Sequence, residues 1–546
     1  MGFITIDKQY HWDIYKNDKF SIFSNGDRTV IKKVIKTAEE NNIIAVSSIK
    51  NILINQTGHF AFILKQDNYI YAASDIICTY PLFYTINKNG LTLSNSAQKL
   101  KTEFFLNDID SIPLMEFYMA GYVTGKDTII KNLYKIQPGE LLIINTKEKS
   151  YKREQYYSYF PTINSTKSKS NKDYLNELDI IMNDIFQRII KKANGLPIWL
   201  PLSGGLDSRF IACKLKQFDY PSLYSFSYGP SGNYEAKAAK KVANTLGIPW
   251  IFLKSNSTQA RKLFKSKKRK KYWEYASGSY SLPSMMEYEA LYELTERNII
   301  PKNAIIINGQ TGDFITGGHI PKTLIDKGSN VHDLINAIIA KHYSVWENIP
   351  LHKSFDQIKN KIIESLDLED KTKLNKEELA SYFEFWEWQS RQSMSVVNGQ
   401  RLYDFFGYKW MLPLWEKSLV TFYQNVPLEL RLGQNLFIDY LEKFNYKNLF
   451  KGYRSEHRRL NLFQMIIVKC ISIPFKILGL DNNNIYKYSS YWSHYSNQYG
   501  FYGLKYFFKN IGDAVVPPQA RGVVALGIKY WLEENFIKIE YFNNKK

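Results

Sequence analysis

The chain is 546 residues long, 45% hydrophobic and 15% aromatic, with a formal net charge of +20. That length exceeds one ordinary domain, and that hydrophobic share excludes an intrinsically disordered chain. Its three cysteines, Cys78, Cys213 and Cys470, stand far apart, which excludes a disulfide framework and a cysteine-ligated metal and predicts buried thiols in a reducing compartment.

Taken in chain order, the first residues, Met-Gly-Phe-Ile-Thr-Ile, lack a basic segment followed by an apolar one. No secretion signal is expected, and a cytoplasmic location follows. Residues 1–160 alternate apolar and polar side chains between turn signals, as in Ile43-Ile-Ala-Val-Ser and Ala61-Phe-Ile-Leu. This predicts a mostly β first domain. Pro161 to Lys172 is rich in Ser, Thr, Lys and Asn and reads as a linker. Asp173 is expected to cap a helix whose apolar face runs Leu175, Leu178, Ile181, Ile185, Ile189. From Leu196 onward apolar runs alternate with helical patterns, which predicts a parallel sheet flanked by helices.

The most informative stretch follows the apolar run Leu196 to Leu202. It reads Ser203-Gly204-Gly205-Leu206-Asp207-Ser208 and leads into a helical pattern, Arg209 to Gln217. A strand, a small-residue turn and a helix start converge backbone N–H groups, two hydroxyls and the positive helix end on one spot, which is an anion-binding nest. Asp207 would repel a bare phosphate, so a divalent metal is expected between them. No Gly-Lys-Ser/Thr follows at the spacing of a Walker A loop.

Arg261 to Lys271 holds eight basic residues in eleven. One reading is a solvated surface loop; the other is a clamp for an anionic substrate or an anionic membrane surface. No nucleic-acid motif accompanies the run, so nucleic acid is not expected. A second loop, Asn308-Gly-Gln-Thr-Gly-Asp-Phe-Ile-Thr-Gly-Gly318, follows the apolar run Ala304 to Ile307. Residues 330–450 read as mainly helical, most clearly over Leu334–Tyr343 and Glu377–Val397. The tail is aromatic and basic. Its segment Phe463 to Leu480 is broken by Lys469, Pro474 and Lys476, so it is not a membrane span. A packed helical subdomain is expected there, with peripheral membrane contact as the minority reading.

The Ser203–Ser208 hexapeptide resembles the signature of the PP-loop ATP pyrophosphatases, which cleave ATP between its α and β phosphates. Glu235 and the run Ala236 to Gly247 resemble a helix of the asparagine synthetases. Residues 308–318 resemble that family's second signature, Ser-Gly-Glu-Gly-Ala-Asp-Glu-Leu-Phe-Gly-Gly. Met411-Leu-Pro-Leu-Trp-Glu416 resembles its Val-Pro-Phe-Leu-Asp segment. Upstream, Gly58-His-Phe-Ala-Phe62, Ser74-Asp75 and Tyr80-Pro-Leu-Phe-Tyr84 resemble strands of the class II glutaminase domain, and Gly121 to Gly139 resembles the joining segment.

The resemblance implies a degenerate glutamine amidotransferase-like domain over 1–160, mostly β and of the Ntn-like α+β class. It implies an α/β synthetase domain of the adenine nucleotide α-hydrolase-like class over 173–450, with a basic aromatic extension over 451–546. It further implies that Ser203, Gly204, Gly205, Leu206, Asp207 and Ser208 hold ATP, and that Asp207 and Asp313 hold Mg²⁺. The reaction implied is adenylation of a carboxylate and its transfer to ammonia or an amine. Glu416 matches an acidic residue near the reaction centre. Lys447 and Lys451 are the nearest candidates for the lysine that contacts the intermediate.

Two departures limit this picture. Gln310 stands where the family has glutamate and cannot act as a base, although it can orient a substrate. Position 2 is Gly2, where class II glutaminases expose a nucleophilic cysteine. The expected protein is therefore an amide-forming ligase without glutaminase activity, acting on a small or anionic carboxylate such as a polysaccharide precursor. The alternatives are an intramolecular cyclase of the β-lactam synthetase or lasso-peptide type, which also lacks the cysteine, and a non-catalytic scaffold.

Overall fold

The computed structural model describes residues 3–87, 90–161, 169–347, 353–368, 372–451, 519–520 and 523–537. Two sheets stack in the first part. The six-stranded sheet has the order Ser150–Gln155, Glu140–Asn145, Tyr69–Ser74, Phe60–Gln66, Phe20–Gly26, Asp13–Lys16, with every neighbour antiparallel. The four-stranded sheet has the order Ile4–Thr5, Gly90–Ser94, Phe83–Asn87, Leu133–Lys135.

Strand alternation assigns the faces. Ala61, Ile63, Ile70 and Ala72 meet Leu82, Leu91 and Leu93 in one core. Phe60, Phe62 and Leu64 point the other way, into the main core with Val30, Val34 and Ile49 of the helices Arg28–Glu40 and Val46–Ile54. Buried Asp75 ties this framework together, accepting hydrogen bonds from the backbone N–H of Phe60 and of Ile77, each at 2.9 Å. The first part is thus α+β.

The second part is built on a five-stranded sheet with the order Trp250–Lys254, Leu223–Gly229, Ile198–Pro201, Ile305–Ile307, Lys409–Met411. All four neighbouring pairs are parallel. Ile305, Ile306 and Ile307 are all buried, as expected for a strand covered on both faces. The chain leaves Ile198–Pro201 toward one edge and returns to pair Ile305–Ile307 on its other side. The strand order reverses between these two strands, which makes a crevice at their carboxyl ends.

Several local expectations are corrected. Asp173 does not cap the helix Asn171–Ala193: Ser170 does, with Asp173 as the third residue of a capping box. The Ser170 hydroxyl accepts from Asp173 N–H at 3.3 Å while the Asp173 carboxylate accepts from Ser170 N–H at 3.0 Å, a reciprocal arrangement that a cap at Asp173 would forfeit. The helix read over Glu377–Val397 is α-helical only over Lys376–Glu387 and widens into a π-helical stretch, Trp388–Val396. Most of the linker read over 161–172 lies outside the described residues.

The basic run is not a loop. It forms the helices Ser257–Phe264 and Lys267–Ser277, capped by Asn256 and Ser266. Their apolar residues Leu263, Phe264, Tyr272 and Trp273 are buried, and so is Arg269, at 0% exposure. Arg269 Nη2 donates to Glu534 Oε1 at 2.9 Å, on the helix Val523–Glu534. That helix buries Ala525, Leu526 and Ile528 in the main core, and its Trp531 ring lies 4.8 Å from Phe117 of the first part. Residues 523–537 are thus integrated with both parts and do not form a separate extension. The segment Phe463–Leu480 lies outside the described residues. Among the described residues no helix is long and apolar enough to cross a membrane.

Candidate active site

The two singled-out loops leave adjacent strands at the same edge of the parallel sheet. Pro201 ends one strand, and the helix Leu206–Gln217 starts five residues later with Gly205 as its cap residue and no side-chain cap. Within the loop, Ser203 Oγ and Ser208 Oγ lie 3.0 Å apart, Ser203 N–H donates to Ser208 Oγ at 3.1 Å, and Gly205 N–H donates to Ser203 Oγ at 3.2 Å. Gly204 packs against the helix Tyr234–Leu246, where a Cβ would meet Ala238 Cβ at 3.3 Å and Glu235 Cα at 3.5 Å. The turn is held open by its own hydroxyls, and the uncapped first turn of the helix gives it a positive end.

The Asn308 loop closes on Asp207. A Cβ at Gly309 would meet Asp207 Cβ at 3.0 Å, and one at Gly312 would meet Asp207 Oδ1 at 2.6 Å. Backbone N–H groups of Gly312 and Asp313 donate to the Asp207 carboxylate. Asp207 keeps part of its surface open. The protein around its carboxyl nevertheless raises its pKa to about 7, chiefly by desolvation and then by the negative charge of Asp313. Desolvation also acts on Asp313, but His319 outweighs it and holds that carboxyl below its usual range. No lysine or arginine pairs with Asp207 among the described residues. Two converging carboxylates, one of them short of positive charge, are the donor set a hard divalent cation needs.

Behind Asp313 stands a polar cluster that nothing in the local sequence announces. His319 Nε2 lies 3.0 Å from Asp313 Oδ2, and its Nδ1 lies 2.5 Å from Glu387 Oε1. Glu387 is fully buried and also accepts from Lys341, Arg391 and Gln392 at 3.1, 3.1 and 2.9 Å. Gln392 Oε1 in turn accepts from Thr311 Oγ1 at 2.9 Å. Desolvation opposes the charge on Glu387, but His342 and His319 outweigh it and hold its carboxyl well below the usual range. Glu387 lies 68 residues beyond His319, so no local pattern signals the cluster.

The other sequence candidates divide. Gln310 N–H donates to Asn308 Oδ1 at 2.9 Å, and Gln310 Oε1 accepts from Gln400 Nε2 at 2.7 Å. Its amide is thereby fixed against Gln400, next to Gly399. Glu416 accepts from Arg188 of the helix Asn171–Ala193 at 3.3 Å and directly precedes the helix Lys417–Gln424, with no side-chain cap bond to it. It is held in an ion pair beside the crevice. Arg209 links the Ser203 loop to the segment bearing the candidate lysines: it donates to Gly204 O at 2.9 Å and to Leu449 O at 2.8 Å. Lys447 and Lys451 are both exposed, and Lys447 Nζ lies 3.4 Å from Thr245 O.

No curated protein matches the chain. Among solved structures, the chain is similar to the allosteric regulatory enzyme of purine biosynthesis (14% identity, TM-score 0.17) and to glutamine phosphoribosylpyrophosphate amidotransferase from B. subtilis complexed with ADP and GMP (11% identity, TM-score 0.15). The matches cover 56% of this chain in both cases and 58% and 59% of those chains. Two family models match: the glutamine amidotransferase domain over residues 22–157 and asparagine synthase over residues 193–457. With these two domains in this order, the chain belongs to the asparagine synthetase family.

Proposed function

We propose that the chain is an ATP-dependent amide-forming ligase that adenylates a carboxylate, releases pyrophosphate and passes the acyl group to ammonia or an amine. The observation that carries this reading is the contact of the Asn308 loop with Asp207 at the reversal point of the parallel sheet, beside the hydroxyl-lined Ser203–Ser208 turn. A carboxylate is a poor electrophile, and adenylation replaces its oxygen with a leaving group. The turn of Ser203, Gly204, Gly205, Leu206 and Ser208 holds the phosphates, and the uncapped helix start stabilises charge on the departing pyrophosphate. Asp207 and Asp313 would hold Mg²⁺, which supplies charge neutralisation at the phosphates. Gly309 and Gly312 let the second loop approach without a Cβ in the way. Glu387 and His319 orient Asp313, as outer groups orient ligating carboxylates. Gln310, fixed by Gln400, presents its amide to the acyl substrate.

ATP–pyrophosphate exchange tests this reading. The full-length protein is incubated with ATP, Mg²⁺ and labelled pyrophosphate across L-aspartate, L-glutamate, uronic acids and peptide carboxylates. Acid-dependent label in ATP is the expected result. A protein that neither exchanges with any acid nor binds ATP is a scaffold.

A further inference from the structure

The acyl transfer needs a group that takes a proton from the attacking amine, and Gln310 has no carboxylate to do so. The loop that bears Gln310 is connected to one elsewhere. Glu287 lies directly before the helix Tyr288–Glu296, at the end of the segment Ser281 to Met286. Tyr403 Oη donates to Glu287 Oε2 at 2.6 Å, and Asn308 Nδ2 donates to Tyr403 Oη at 2.8 Å. Asn308 Oδ1 accepts from Gln310 N–H, and Gln310 accepts from Gln400. Gln400 and Tyr403 are three residues apart where one helical turn runs into the helix Arg401–Phe405, so both reach the same loop. Ser284, from the Glu287 segment, and Gln310 both lie within 4 Å of where a Cβ at Gly399 would stand.

Glu287 makes no salt bridge among the described residues, and part of its surface stays open. The ionisable groups that face it are Tyr403 and, from the helix Lys267–Ser277, Tyr272; Tyr228 faces Tyr403 from the sheet. Among the described residues Glu287 thus has a hydroxyl donor but no cation beside it, and two hydrogen bonds join it to the signature loop.

We propose that Glu287 is the general base of the acyl-transfer step, with Tyr403 as the residue that positions it. This rests on the ligase reading above. The amine lone pair attacks the carbonyl carbon of the acyl-adenylate and forms the C–N bond. One proton leaves the nitrogen for the Glu287 carboxylate. The tetrahedral intermediate then expels AMP, the C–O bond breaking with its electron pair on the phosphate oxygen. Amide, AMP and protonated Glu287 result, and Glu287 returns its proton to water. Burial raises the Glu287 carboxyl to about 7, against the hydrogen bond from Tyr403, which lowers it. A base in that range works best at neutral pH.

The test uses full-length protein, ATP, Mg²⁺ and whichever acid of the panel supports wild-type exchange, with ammonium chloride or hydroxylamine as acceptor. Glu287→Gln is expected to retain pyrophosphate exchange while ammonium-dependent amide formation falls about 10²-fold or more. Hydroxamate formation should fall as well, because hydroxylamine nitrogen also sheds a proton as the C–N bond forms. At a fixed concentration of free ammonia, the wild-type rate should rise with pH through about 7, the value to which burial raises Glu287. That limb should vanish in Glu287→Gln. It should move to higher pH in Tyr403→Phe, which loses the bond favouring the charged form. The proposal is overturned if Glu287→Gln makes amide from ammonium at the wild-type rate with the same limb. Equal loss of exchange and amide formation in that variant assigns Glu287 a purely structural role and also overturns it. Failure of wild-type exchange with every acid instead removes the ligase reading, and this proposal with it.

Discussion

Gly312 lies against the carboxylate of Asp207, so close that a Cβ on it would stand 2.6 Å from Oδ1 and 2.5 Å from Leu414 Cδ1. The two loops are thus matched at one atom. Gly312→Ala must push the Asn308 loop off Asp207, an overpacking that costs about 1–3 kcal/mol. A displacement of that kind in a reacting site lowers rate by roughly 10²-fold. The expected result is a folded protein by circular dichroism with ATP–pyrophosphate exchange reduced to that extent; wild-type exchange would refute the matched-loop geometry.

Asp207 carries a charge that the surrounding protein does not neutralise. Asp207→Asn removes it at constant shape, so the variant should melt a few degrees higher than the wild type in EDTA. Adding MgATP should raise the wild-type Tm and leave the variant where it was. Equal MgATP shifts in the two proteins, read by differential scanning fluorimetry, would argue against a metal-holding role.

Arg269 is fully buried and its partner Glu534 is 20% exposed. Removing one partner of such a pair leaves a buried charge uncompensated. Glu534→Ala should cost about 3–5 kcal/mol, and Lys268→Ala, which breaks the exposed pair with Glu296, less than about 1 kcal/mol. Urea unfolding measures both. Comparable values would mean that the helix Val523–Glu534 is not anchored by this contact.

His342 is buried beside Glu387, its ring 4.9 Å from Trp386. Burial lowers its pKa to about 4 from the usual 6.5, a cost only partly offset by Glu387. The unfolded chain therefore binds a proton that the folded chain refuses between these values. Stability falls as pH drops from 6.5 toward 4, by about 1.4 kcal/mol per unit at most. Glu387, held low, adds its own loss only below about 4.5. His342→Leu should flatten the Tm profile between pH 6.5 and 4.5, and an unchanged profile would count against the shift.

The residues before Cys78 include no cysteine, and Cys78 is buried, with its thiol pushed well up by burial. Incubation with glutamine should release no glutamate above the uncatalysed rate, while ammonium should serve as nitrogen source. Glutamate release at enzymatic rates would show that another nucleophile operates.

The sequence by itself determined the two loops, because each is a contiguous run after an apolar strand and its chemistry depends on local backbone. Ser203 to Ser208 and Asn308 to Gly318 were legible for that reason, as was the α/β alternation that carries them. It also determined what Gln310 cannot do, since an amide has no proton to take up at neutral pH. Only the tertiary structure decided which distant side chains meet the second loop: Glu287 and Tyr403 reach Asn308, and Glu387 reaches Asp313 through His319. The helical fold of the basic run and the burial of its Arg269 were hidden for the same reason. Charge density along a chain says nothing of a partner 265 residues away, and burial of Arg269 against Glu534 turned one cation of a supposed surface loop into a core contact.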